Sequence, residues 1–326
     1  MKNKTIVIIS GEPYSVFLEI FFKSLKEKKI KRIKNPIILV ASKNLVLKQM
    51  KALKYNFYIN EISLHNFYSL KINNNKLNLV NVNFNLSKTF DQISKKSAPY
   101  IRNSCEIGLE ILKKSSAKVL INGPISKKNF LNNKFPGMTE YFANKVGYKN
   151  KEVMLIFNNK VSVSPITTHL PLKNIFSKIT KNKILYNIIT INNFYKKYLK
   201  KKSRFAITRL NPHGETLNKF SEEDKIITPA IRSLKKRKIN IKGPYPSDTI
   251  FMKKNIRQFD VIIGMYHDQV LAPMKTIFEF DAINITLGLP FLRLTPDHGP
   301  NVSMLGKNIS NPKSLIKALE FASQIK

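Results

Sequence analysis

On a coarse scale the chain alternates between short apolar runs rich in β-branched residues and segments of helix length. The runs TIVIIS (5–10), PIILVA (36–41), KVLIN (118–122), VSVSPIT (161–167), RFAITRL (204–210) and DVIIGM (260–265) each end at a turn or polar loop, which predicts strands. Strands interleaved with helices predict an α/β fold. SEEDKIITPAIRSLKKRK (221–238) predicts a helix with Ser221 as its N-cap, acids in its first turn and bases in its last, matching the helix dipole. Pro229 lies inside that segment and predicts a kink or an early end. NPKSLIKALEFASQIK (311–326) predicts an amphipathic helix with Leu315, Ile316, Leu319, Phe321 and Ala322 on its apolar side. The sequence shows no repeat, low-complexity tract or flexible linker.

A chain of 326 residues fits one large domain or two ordinary ones, and two are expected. No apolar run reaches the roughly 18 residues of a membrane helix, and the charged N-terminus leads into too short an apolar stretch for a signal peptide. With Cys105 as the single cysteine, no internal disulfide or cysteine zinc cluster can form. These features fit a cytoplasmic protein. The net charge of +37 first suggests nucleic acid or another polyanion. Its distribution argues otherwise: lysines run along the whole chain, and the clusters at 23–34, 195–204 and 233–238 lie in or beside predicted helices, where solvated faces belong. A basic nucleic-acid-binding protein remains a remote alternative, without an aromatic-basic recognition motif to support it.

Three of the five histidines share one context. His169 in TTHLP, His213 in NPHGE and His267 in MYHDQ each stand just past a predicted strand. Ligands of open α/β sheets bind outside the carboxyl ends of the strands, so side chains from distant segments can converge there. Three neutral imidazoles with an open position form a catalytic divalent-metal site; a lone histidine would more simply be a core or loop residue. His65 lacks that context. Asp248 and Asp268 suit either orienting a histidine or moving a proton, and Lys275 and Arg293 suit a phosphate or carboxylate. Asn284 is either a polar pin at a strand end or a turn residue. The NGPIS turn (122–126) is a weak anion-binding signal by itself.

The segments GEP (11–13), NGPISK (122–127), FPGMTEYFA (135–143), TTHLPL (167–172), LNPHGE (210–215), GPYPSDTIF (243–251), MYHDQVLAPMK (265–275), NITLGLPFLR (284–293) and DHG (297–299), in this order, resemble the 4-hydroxythreonine-4-phosphate dehydrogenase family of pyridoxal phosphate biosynthesis. The resemblance implies an isopropylmalate dehydrogenase-like α/β fold of two α/β/α domains with the active site in the cleft between them. The expected borders give a terminal domain of residues 1–125 with 264–326, and a central domain of residues 126–263 that carries the interface of a homodimer. It further implies oxidation of 4-phosphooxy-L-threonine with NAD, or NADP, and a divalent ion such as Zn, Mg or Co. His169, His213 and His267 become the metal ligands, in a site completed across two subunits. Met138, Thr139, Lys275, Asn284 and Arg293 become substrate contacts, and His298 and Gly299 cofactor contacts.

Two departures bear on the substrate. The family's GHTE reads GMTE here, so Met138 replaces a histidine with an uncharged thioether. The family's GDPAGIGPE reads GEPYSVFLE, which puts Ser15, Phe17 and Leu18 where a tight glycine-rich turn is usual. A related dehydrogenase acting on another phosphorylated hydroxy acid is the alternative these changes keep open.

Overall fold

The computed structural model describes residues 4–65, 72–132, 134–212, 221–279, 281–296 and 299–325. The chain divides into two compact units, residues 1–147 with 289–326, and residues 148–288. Both borders lie further along the chain than the expected 125/126 and 263/264. Two helices account for the difference. Met138–Lys145 buries Met138, Tyr141 and Phe142 in the first unit's core, beside Val7, Val40 and Leu120. His267–Phe278 buries Val270 and Met274 against Val163 and Ile262 of the second.

In the first unit, β1 (Ile6–Ile9), β2 (Ile37–Ala41), β3 (Ile59–Glu61), β4 (Leu77–Asn81), β5 (Val119–Asn122) and β12 (Leu292–Thr295) form a parallel array in the order β3-β4-β2-β1-β5-β12. Every residue of β1, β2 and β5 is buried, as expected of parallel strands covered by helices on both faces. In the second unit, β6 (Val153–Phe157), β7 (Ser162–Pro165), β8 (Phe205–Thr208), β9 (Ile241–Tyr245), β10 (Val261–Gly264) and β11 (Ile283–Leu287) run in the order β11-β6-β7-β10-β8-β9. The pairs β11/β6 and β6/β7 are antiparallel and the rest parallel. The carboxyl ends of β7, β10, β8 and β9 therefore open on one edge of the unit.

The six expected strands are all present with trimmed ends. Ser221 caps its helix as expected, its Oγ accepting from the Asp224 amide at 3.3 Å. Pro229 falls where a π-helical turn (Glu223–Ile227) gives way to the α-helix Thr228–Lys236, in the opening turn of the latter, so the regular α-helix is interrupted beside the proline. Lysines of the three basic clusters, such as Lys28, Lys197 and Lys236, face solvent. No helix among the described residues is long and apolar enough to cross a membrane.

The altered N-terminal turn is packed solid. Tyr14, Ser15, Val16, Phe17 and Leu18 are all buried, and the Ser15 hydroxyl donates to the Glu12 carbonyl at 2.7 Å just before the helix Phe17–Lys26 begins. Gly11 takes φ 76°, and a Cβ there would fall 2.5 Å from the Pro124 carbonyl oxygen. Glu12 donates its amide to that same oxygen at 2.8 Å. Its carboxylate is buried, with neither oxygen in a hydrogen bond of normal geometry. Burial pushes this carboxyl above its ordinary 4.5, and the Ser97 hydroxyl and Ser126 amide offset only part of the effect.

A raised folded-state value means that folding holds the proton, so this group's contribution to stability falls as pH rises above about 4.5. Glu12→Gln is expected to raise the melting temperature at neutral pH and to leave it nearly unchanged in acid below that value. Thermal melts across pH check this, and a lower melting temperature at neutral pH would contradict it.

Candidate metal and substrate site

Two of the three expected metal ligands meet at the strand ends of the second unit. Past β7, the Thr167 amide and hydroxyl both donate to the Met265 carbonyl, at 3.1 and 2.8 Å, while the Ile166 amide donates to the Gly264 carbonyl at 2.8 Å. These bonds fasten the segment leading to His169 onto the segment leading to His267. The two imidazole ring centres stand 5.8 Å apart, with 39° between the ring planes. Two imidazoles sharing one ion through nitrogens at about 2.0–2.1 Å set their ring centres roughly 5 Å apart, so the pair fits an ion with a small adjustment of rotamers.

His267 opens the helix His267–Phe278, and its Nδ1 lies 2.6 Å from Asp268 Oδ1. With Nδ1 occupied by a carboxylate, Nε2 is the nitrogen left for a metal, the usual arrangement of a ligating histidine. His213 lies outside the described residues. Among the described residues, no group of three His, Cys, Asp or Glu side chains is placed to hold an ion. The segment before His213 is firmly held: Glu223 Oε1 accepts from the amides of Leu210 and Asn211, at 2.8 and 2.9 Å. Burial alone would raise the Glu223 carboxyl, but these amides and the Asn211 side chain bring it below its ordinary value.

The two expected proton carriers separate clearly. Asp268 touches His267 and is otherwise open to water, 82% exposed. Asp248 is exposed on the short helix Ser247–Ile250 and makes no hydrogen bond among the described residues. Lys275 lies on the helix of His267, about 12 Å further along its axis. Lys275 is exposed overall, and partial burial of its ammonium lowers its pKa. Asn284 stands within β11 and not in a turn, and its buried Oδ1 accepts no hydrogen bond among the described residues. His65 is exposed.

The first unit holds the remaining candidates. Arg293, in β12, is 3% exposed; its Nη1 donates to Thr139 Oγ1 at 3.1 Å, and its guanidinium lies 5.3 Å from the Phe142 ring centre. Burial pushes the guanidinium down to about 10, with Glu140 opposing the shift, so it stays charged at neutral pH. Met138, the first residue of its helix, packs with Tyr141 and Phe142 in the apolar core, a place that suits a thioether. Gly299 is exposed, and His298 lies outside the described residues. Ser126 caps only a four-residue helix, Lys127–Phe130, so the NGPIS turn gains no further weight as an anion site. Residues not singled out from the sequence are Thr167, Glu223 and Gln269, all polar and buried at these strand ends.

The chain has many relatives. The family described as pyridoxal phosphate biosynthetic protein PdxA matches residues 32–322. A 4-hydroxythreonine-4-phosphate dehydrogenase of Sulfurihydrogenibium sp. is 36% identical over 325 residues, 98% of each chain. Among solved structures, the 4-hydroxythreonine-4-phosphate dehydrogenase of Klebsiella pneumoniae superposes with a TM-score of 0.80 at 24% identity, over 98% of both chains. A terephthalate 1,2-cis-dihydrodiol dehydrogenase of Burkholderia xenovorans shares the fold at a TM-score of 0.67 and 17% identity, over 99% of this chain and 98% of its own. The expected isopropylmalate dehydrogenase-like fold is thus the observed one. With one family spanning residues 32–322 and a relative 36% identical along nearly its whole length, the chain belongs to the PdxA family of pyridoxal phosphate biosynthetic proteins.

Proposed function

We propose that this chain oxidises 4-phosphooxy-L-threonine at its C3 hydroxyl with NAD or NADP and a divalent ion. The product, 2-amino-3-oxo-4-phosphooxybutanoate, is a β-keto acid that loses carbon dioxide to give 3-amino-2-oxopropyl phosphate. The observation that carries this reading is the His169–His267 pair, with Nδ1 of His267 already engaged by Asp268. A bound divalent ion would supply polarisation of the hydroxyl oxygen, and a bound nicotinamide a hydride acceptor. His169 and His267 would hold the ion, with His213 as third ligand. Asp268 keeps the proton of His267 on Nδ1 and the lone pair on Nε2. Asn284 Oδ1, a buried acceptor, suits the substrate ammonium. Lys275 and Arg293 supply cations for the phosphate and carboxylate, and Arg293 can grip two oxygens at once. Met138 contributes packing where the family has a polar contact. We also assign the chain to a cytoplasmic homodimer, with each metal site completed by the partner subunit and Gly299 near the cofactor.

The test is nicotinamide reduction by the purified chain with 4-phosphooxy-L-threonine and, separately, with unphosphorylated 4-hydroxy-L-threonine. Losing two charge-assisted contacts, each about 1.5–3 kcal/mol, is expected to lower kcat/KM for the second by roughly 10²–10⁴-fold. Equal rates on the two substrates would contradict the phosphate assignment. Turnover of another phosphorylated hydroxy acid alone would favour the related dehydrogenase that Met138 keeps open.

A further inference from the structure

At the carboxyl edge of the second unit, one buried carboxamide joins three segments. Gln269, in the first turn of His267–Phe278, is 8% exposed. Its Oε1 accepts from the Met265 amide at 2.6 Å and from the Thr208 hydroxyl at 2.9 Å. Its Nε2 donates to the Arg209 carbonyl at 2.7 Å and to Ser247 Oγ at 2.8 Å. An amide N–H can only donate and a carbonyl can only accept, so Met265 and Arg209 together fix which end of the carboxamide is which. Both donors are used and both acceptor positions filled.

Helix capping explains only one of these bonds. A glutamine at the third helical position commonly reaches back to an amide before the helix, as Gln269 does to Met265. The bonds to Thr208 and Arg209, at the end of β8, and to Ser247, just past β9, serve no element of their own. They tie the approaches to His267 and to Asp248 to the segment that runs on to His213. Glu223 braces that last segment again at Leu210 and Asn211. An apolar side chain in place of Gln269 would leave the buried Met265 amide and the half-buried Arg209 carbonyl without these partners, so the segments would move apart to find water.

We propose that Gln269 is a positioning residue: it locks the segments after β8, β9 and β10 into one frame and so sets where His267 stands relative to the segment leading to His213. This inference rests on the three-histidine metal reading above. Gln269 touches neither ion nor substrate; it acts through the backbone that carries the ligands.

The test uses Co²⁺ alone, titrated into the metal-stripped full chain and followed by visible absorption, which reports the geometry of the ligand set. Wild-type protein is expected to bind Co²⁺ in a His267-dependent manner. Gln269→Leu is expected to weaken that binding by about 10–100-fold and to alter the spectrum. Thr208→Val and Ser247→Ala, each removing one bond, are expected to give smaller losses in the same direction. Val163→Ala, a core cavity in the same unit, is expected to lower the melting temperature without changing Co²⁺ affinity or spectrum.

Wild-type affinity and spectrum in Gln269→Leu would overturn the inference while leaving the metal reading intact. If the leucine variant does not fold, wild-type binding by both Thr208→Val and Ser247→Ala would overturn it instead. Co²⁺ binding that His267→Ala leaves unchanged would overturn the metal reading and this inference with it.

Discussion

His267→Ala is expected to lower kcat/KM for 4-phosphooxy-L-threonine by at least about 10³-fold, roughly 4 kcal/mol of transition-state stabilisation. In the proposed site, losing Nε2 would remove a ligand and also the ring that Asp268 contacts. His267 is one-third exposed, at 33%, and stands at a helix start, so the alanine leaves no core cavity and the melting temperature should hardly move. His169→Ala is expected to cost about as much, and the double variant little more than either, because ligands of one ion act as a unit and their losses do not add. Steady-state kinetics on the three variants check this. Full activity in His267→Ala would remove the ligand assignment.

Arg293→Met should produce the second largest loss, about 10²-fold in kcat/KM and carried mainly by KM, from charge-assisted bonds of about 1.5–3 kcal/mol each. Methionine fills much of the same volume without the charge. Arg293→Lys is expected to rescue little, since an ammonium cannot reproduce the planar fork that meets Thr139 on one side and the Phe142 ring on another. Arg293→Met also removes the donor to the buried Thr139 hydroxyl but relieves the burial of a charge, so the melting temperature is expected to move little. The kinetic effect separates the two roles of this buried cation. An unchanged KM with a lowered melting temperature would make Arg293 purely a packing residue of the first unit.

How much of this was legible in the sequence depended on how local each signal is. The six strands read from the sequence are those whose segments are rich in apolar and β-branched residues and end at a turn or polar loop. The others hide for particular reasons: β4 carries Asn78, whose side chain donates to the Ile37 and Asn73 carbonyls; β9 contains Gly243-Pro244; β12 contains Arg293; β3 is a three-residue edge strand. In β6, VMLIF is apolar throughout, and so short a run does not distinguish a strand from a buried helix.

His169 and His267 could be singled out together because each follows a run that reads as a strand, and their ring centres stand 5.8 Å apart. The different surroundings of Asp248 and Asp268 could not be read in the sequence, since both are acids beside a strand-end motif and only the 2.6 Å contact to His267 tells them apart. Gln269 lies inside the MYHDQVLAPMK segment (265–275), yet nothing local marks its role. Its partners are as far as 61 residues away in the chain, and nothing in the residue type announces four simultaneous bonds. Met138 shows the converse: the substitution was visible at once, but its burial in the first unit's core, which gives the thioether its place, was not.

The most direct measurement is nicotinamide reduction by the wild-type chain with 4-phosphooxy-L-threonine, followed before chelation, after removal of divalent ions, and after adding them back. Turnover present at first, abolished by chelation and restored by a divalent ion, with carbon dioxide released in step with nicotinamide reduction, is the predicted result. Turnover that survives complete chelation, or no turnover of this substrate under any of the three conditions, would contradict the account.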